Sequence, residues 1–170
     1  MTKMILCCLM STFLLTAQVI AEVKILVKHR VANQSPGYCV WCSLDTWGNH
    51  TKNKQLIGLT AYYVEHDRRA ISGRPETINR QLSILGVKYE HRLPGKKDFD
   101  FVKQHVQAGR AVMADVRDYP RVGDLHAILI VDATDESVRF IDSNDIEWDW
   151  LYKTTTFKQQ WTGWAVVILD

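Results

Sequence analysis

Cys39 stands where a loop meets the start of an expected helix, in the run Gly37-Tyr38-Cys39-Val40-Trp41-Cys42-Ser43. Backbone N–H groups and the helix dipole favour negative charge at such a start, which suits a thiolate nucleophile. The plainer reading of the same residue is a buried structural cysteine, the commonest state of a free thiol. A thiolate nucleophile needs a base to activate it and later to protonate the leaving group. His126 fits that role: it opens the apolar run Ala127-Ile128-Leu129-Ile130-Val131, so a strand would hold it rigidly at a cleft. His29, His50, His66, His91 and His105 lie in polar stretches and are expected to face solvent. An edge histidine with a satisfied hydrogen bond is the alternative for His126.

An imidazole that works as a base is oriented by a third group. The run Val138 to Ile141 ends in Asp142-Ser143-Asn144-Asp145. If it pairs antiparallel with the His126 strand through a turn over 132–137, Asp142 returns beside His126. Asn144 could hold the ring instead, and a plain turn cluster also explains these residue types. Gln34, just upstream of the nucleophile, could donate to a developing oxyanion, although turn propensity alone accounts for Asn33-Gln34.

These residues need elements to place them. Asn33 to Gly37 is rich in turn formers and reads as a loop. The pattern predicts helices over 39–47, stopped by Gly48-Asn49, then over 55–69 and 77–85. Residues 87–92 read as a strand, and Asp98 should cap a helix that runs to Ala108 before Gly109. Short β-rich runs follow over 111–116, 126–131, 138–141 and 164–169, separated by Gly, Asp and Asn. A helical half followed by a sheet half predicts an α+β fold with an antiparallel sheet, not alternating βαβ units.

Composition bounds the function. The chain has 170 residues, 46% hydrophobic and 24% charged, as expected of one globular domain with a real core. The net charge of +2 and the scattered basic residues speak against nucleic acid as a partner. Met1-Thr2-Lys3, an apolar run to about Ala17, and Val19 and Ala21 predict a cleavable signal over 1–21, with a mature domain over 22–170 that is secreted or periplasmic. The apolar run is shorter than the ~20 residues that span a bilayer, so no stable membrane span is expected in the mature chain. An uncleaved anchor is the alternative, and Cys7 and Cys8 sit too near the start for a lipoprotein signal. Without them the mature chain keeps Cys39 and Cys42 alone, which is no disulfide scaffold.

The motifs together resemble the papain-like cysteine peptidases, within them the bacteriocin-processing (double-glycine) peptidases, cysteine peptidase family thirty-nine, and its free-standing relatives. The resemblance rests on 33–44, on Val106-Gln107-Ala108-Gly109-Arg110-Ala111-Val112, on 126–131 with 138–144, and on Trp161-Thr162-Gly163-Trp164-Ala165-Val166-Val167. It implies a papain-like fold, a Cys39–His126–Asp142 triad, a glutamine-assisted oxyanion hole, and cleavage of a peptide or protein substrate without metal or organic cofactor.

Three features depart from the family's pattern. Its glutamine stands six residues before the nucleophile, a position held here by Asn33, whereas Gln34 is five before. Val40 replaces a frequent glycine. The family's best-known members are fused to export transporters, so their double-glycine leader substrate is not carried over. A papain-style reading of Cys-x-x-Cys would make Cys42 the nucleophile. Cys39 is preferred because it ends the loop, with Cys42 one turn further in and facing the core. Other classes remain open: a thiol redox protein using the Cys39/Cys42 pair, a peptidase-like domain that binds peptides without cleaving them, or an amidase or transglutaminase-like acyl-transfer enzyme. Zinc binding is disfavoured because the pair lacks a second pair of ligands.

Overall fold

The computed structural model describes residues 23–33, 37–66, 75–119 and 125–169. The expected signal and its cleavage site, and Gln34, lie outside the described residues.

A 3-10 turn over Val27–His29 leads into α1 (Cys39–Thr51), followed by α2 (Leu59–Glu65) and α3 (Pro75–Ile84). Then come β1 (Lys88–Arg92), α4 (Phe99–Gln107), β2 (Val112–Arg117), β3 (Leu125–Ala133), β4 (Ser137–Asp142), β5 (Asp145–Lys153), α5 (Thr154–Gln160) and β6 (Trp161–Leu169). The strands form one sheet in the order β1-β6-β2-β3-β4-β5. Every neighbouring pair is antiparallel. This is the expected α+β architecture, with helices first and sheet second.

Alternation along the strands gives the sheet two apolar faces. Met113, Leu129, Trp164 and Val166 meet Trp41, Leu44 and Trp47 of α1 on one face, and α2 and α3 add Tyr63, Ile78 and Leu82 to that core. Val112, Ile128, Ile130 and Val167 face the other way, where α4 adds Phe101, Val102 and Val106, and α5 adds Phe157. The helical N-terminal half thus covers one face, and α4 and α5 cover the second. Among the described residues, no helix is long and apolar enough to cross a membrane.

Two helix boundaries differ from the sequence expectation for identifiable reasons. Gly48 does not stop α1. A Cβ there would lie 2.6 Å from Leu56 Cβ, so glycine serves the close approach of the following segment. The helix ends instead at Lys52, whose φ of 62° is left-handed and whose N–H returns to the Gly48 carbonyl. The second helix starts late because Gly58 has a φ of 82°. Its first turn is capped from α1: the Asp45 carboxylate accepts from the backbone N–H groups of Gly58 at 2.9 Å and Thr60 at 3.2 Å. Asp98 caps α4 as expected, accepting from the Phe101 N–H at 3.2 Å.

Candidate active site

Cys39 is the first residue of α1, and the preceding Tyr38 offers no side-chain cap. The free N–H groups of the first turn are therefore directed at the end of the helix where the thiol sits. Cys39 is 9% exposed, on the rim of the core rather than within it. Its Sγ accepts a hydrogen bond from the backbone N–H of Ala127 at 3.4 Å, which ties the helix start to β3.

His126 is the second residue of β3, one position before that donor. The β3–β4 register pairs Leu129 with Ile141, so the strand returns Asp142 to the mouth of β3. His126 Nε2 lies 2.7 Å from Asp142 Oδ1, and both side chains are nearly buried. Nδ1 is the remaining ring nitrogen, and the Cys39 thiol is near enough to favour a proton on the imidazole. Burial lowers the affinity of this imidazole for a proton, but the Asp142 hydrogen bond and the neighbouring Cys39 and Asp142 groups outweigh it. His126 is raised to about 9.

The Asp142 carboxyl is itself buried, which disfavours its charge. The imidazole and other donors more than offset this and hold the carboxyl below its usual range. The Asn144 N–H donates to Oδ1 at 2.8 Å, and the Tyr119 hydroxyl donates to Oδ2 at 2.8 Å. The Tyr119 ring also stacks on His126, with centroids 5.7 Å apart and planes at 29°. Burial and the Asp142 charge push the phenol's own ionisation upward, so it stays a donor. Tyr119 was not among the sequence candidates. It follows β2 in a short polar segment with no periodicity, and only the paired sheet brings it over the imidazole.

The remaining candidates are placed as follows. Asn144 Nδ2 is 3.5 Å from His126 Nε2, further than Asp142, and its Oδ1 accepts from Asn33 Nδ2 at 3.1 Å. Asn33 also donates its backbone N–H to the Ser143 carbonyl at 2.7 Å, so the loop before Cys39 is laced to the loop after Asp142. Cys42 is fully buried one turn along α1, with Sγ 3.7 Å from the Ala32 carbonyl. Burial pushes its thiol up to about 12. Cys39 and Cys42 are both free thiols. The arrangement as a whole can move a proton between a thiol and an imidazole whose far side is held by a carboxylate.

No protein-family model and no curated relative matches the sequence. Solved structures do match. A Bacillus anthracis protein described as a C39-like peptidase superposes with a TM-score of 0.63 at 15% identity, covering 88% of this chain and 98% of that one. The fold is that of the C39-like peptidases. A double-glycine-motif protease from an AMS/PCAT transporter, solved with its leader peptide, gives a TM-score of 0.62 at 10% identity over 89% of this chain and 96% of its own. The peptidase domain of Streptococcus ComA, a bifunctional ABC transporter, gives 0.57 at 14% identity over 82% and 97%. The likeness to these C39-like domains is one of fold. It spans both the helical half and the sheet, as the papain-like expectation required.

Proposed function

We propose that this chain is a cysteine peptidase with Cys39 as nucleophile, His126 as general base and acid, and Asp142 as the group that orients the imidazole. The observation that carries this reading is the His126 ring, hydrogen-bonded to Asp142 at 2.7 Å, with the Cys39 sulfur held by the N–H of the very next residue, Ala127. In the proposed reaction the Cys39 proton passes to His126 Nδ1, and the sulfur attacks the carbonyl carbon of a peptide bond. The oxyanion forms against N–H groups at the start of α1, with the Gln34 amide as a further donor. His126 then returns the proton to the amine as the C–N bond breaks, leaving a thioester. Water, deprotonated by His126, releases the acid and restores the thiol. Asp142 keeps Nε2 protonated and stabilises the imidazolium throughout. The substrate is a peptide or protein.

Single-turnover hydrolysis of internally quenched peptides tests the roles. Cys39→Ala and His126→Ala should each lower the rate by about a thousandfold or more, and the double variant should be no worse, because the two act as a unit. Asp142→Asn should cost less, since an amide can still hold the ring. Asn144→Ala should cost less again, because the side-chain amide stands further from Nε2. Full activity in His126→Ala would remove the mechanism.

We also propose that the domain acts outside the cytoplasm after removal of residues 1–21, on the strength of the signal-like start. N-terminal sequencing of exported protein should read from near Glu22. A full-length chain confined to the cytosol would sink this.

A further inference from the structure

Beside the Cys39–His126 couple lies a cavity of about 530 Å³ that the mechanism above does not use. Its lining includes Asp115 of β2 and Leu125, the residue immediately before His126. Asp115 pairs across the ladder with Ala127, whose N–H contacts Cys39 Sγ. Ala114 and Val116 belong to the core on the α4 side of the sheet, and Met113 to the core on the α1 side. Strand alternation therefore sends the Asp115 carboxylate to the same side as the nucleophile. The cavity is thus linked to the Cys39 end of α1 through the Asp115–Ala127 pair.

The β2–β6 ladder makes room for it. Ala114 pairs with Ala165, but Val116 pairs with Trp161, so β6 bulges opposite Asp115. Thr162 of the bulge lines the cavity. Gly163 has a φ of 96°, and a Cβ there would come within 2.9 Å of the Lys96 carbonyl oxygen, so glycine is required for the bulge to close against that loop.

Asp115 is 5% exposed, and among the described residues no hydrogen bond or ion pair is seen at its carboxylate, whose oxygens are not fully enclosed where the residue lines the cavity. Burying a carboxylate without a donor is costly. Burial pushes its carboxyl up to about 7, and the His126 charge opposes that. Arg117 and Asp118 line the same cavity, and both are exposed. The lining also includes Pro75, Pro94 and Leu125, apolar surfaces of the kind that cover the methylenes of a long cationic side chain.

We propose that this cavity is a specificity pocket for a basic side chain, lysine or arginine, of the peptide held at the active site, with Asp115 as its anionic floor. The proposal rests on the cysteine peptidase reading for its substrate class. An ammonium or guanidinium entering the pocket would provide the donors that the carboxylate lacks, and would draw its proton off near neutral pH.

The test compares lysine with norleucine, which has a similar stem without the charge, at each of four positions on either side of the scissile bond. Quenched peptides report kcat/KM, and tryptophan fluorescence reports binding of the same peptides to Cys39→Ala protein. At one position lysine should exceed norleucine by about tenfold or more, as a buried charge-assisted pair allows. Asp115→Asn should bring that ratio to about one, and Asp115→Ser serves as the second variant should the first fold poorly. A lysine preference absent at every position, or surviving intact in both variants, would overturn the pocket while leaving the peptidase standing. Charge-selective, Asp115-dependent binding without any cleavage would uphold the pocket and overturn the peptidase reading instead.

Discussion

Tyr119 both donates to the carboxylate of Asp142 at 2.8 Å and stacks its ring on His126. The two contacts act on different members of the same row. One fixes the carboxylate oxygen that the imidazole does not use. The other lays an aromatic ring along the imidazole.

Tyr119→Phe separates these contributions, because it keeps the stacking ring and removes the hydroxyl. A hydrogen bond to a charged group is worth about 1.5–3 kcal/mol. The variant should lower kcat by about tenfold with little change in KM. Tyr119→Leu removes both contacts and should cost more. Equal kinetics for wild type and Tyr119→Phe would show that the hydroxyl is packing alone.

The two cysteines should differ sharply towards alkylating reagents. Cys39 lies on the rim beside an imidazole, whereas Cys42 is fully buried with its thiol pushed up to about 12. Only a thiolate alkylates readily. Mass mapping after a brief iodoacetamide pulse at pH 7 should find the label on Cys39. Cys42→Ala should retain that labelling and most of the hydrolysis, but it opens a small cavity and should lower the melting temperature by a few degrees. Label concentrated on Cys42 would reverse the assignment of the nucleophile.

Stability should depend on pH in a sense set by the buried pair. The folded-state value for Asp142 lies below its ordinary 3.8, so its contribution is present above pH 3.8 and is lost as pH falls through the folded value. For His126 the folded value is raised from 6.5 to about 9, so its contribution is full below pH 6.5 and disappears as pH rises through 9. The urea midpoint should therefore be highest between about pH 4 and 6.5 and should fall towards pH 9. The alkaline loss should be on the order of 3 kcal/mol at most, and smaller in Cys39→Ala, which lacks one of the partners that raises the imidazole. A midpoint flat from pH 6 to 9 would contradict the paired state of His126.

What could be read from the sequence was what sits at the end of a strongly patterned element. Cys39 begins a helix marked by a preceding loop, His126 opens a run of aliphatic residues, and Asp142 closes the next strand. Register followed from the short turn between those strands. Tyr119 carried no such mark, because it acts from a loop and finds its partners only across the sheet. Asp115 was hidden for the opposite reason, as one acid inside the apolar run 111–116. β5 was also missed. It is an edge strand with no buried residue, Trp148 and Leu151 being exposed on opposite faces, so neither face shows the buried alternation that betrays a strand. Gly48 misled because glycine signals both helix ends and close packing, and only the Leu56 contact distinguishes the two.

β6 is the latest of the six strands along the chain, yet it lies between β1 and β2. Until it arrives, β1 has no strand to pair with, and the Trp164, Val166 and Ile168 surface that underlies α1 is missing. The helix that presents Cys39 thus has an incomplete floor for as long as β6 is unmade, even though β2, β3 and β4 precede it. Such non-local closure makes folding slow relative to a chain of hairpins. It also means that the cavity beside Asp115, which Thr162 helps to line, takes a wall from the strand that comes latest along the chain, whereas Cys39, His126 and Asp142 stand on α1, β3 and β4.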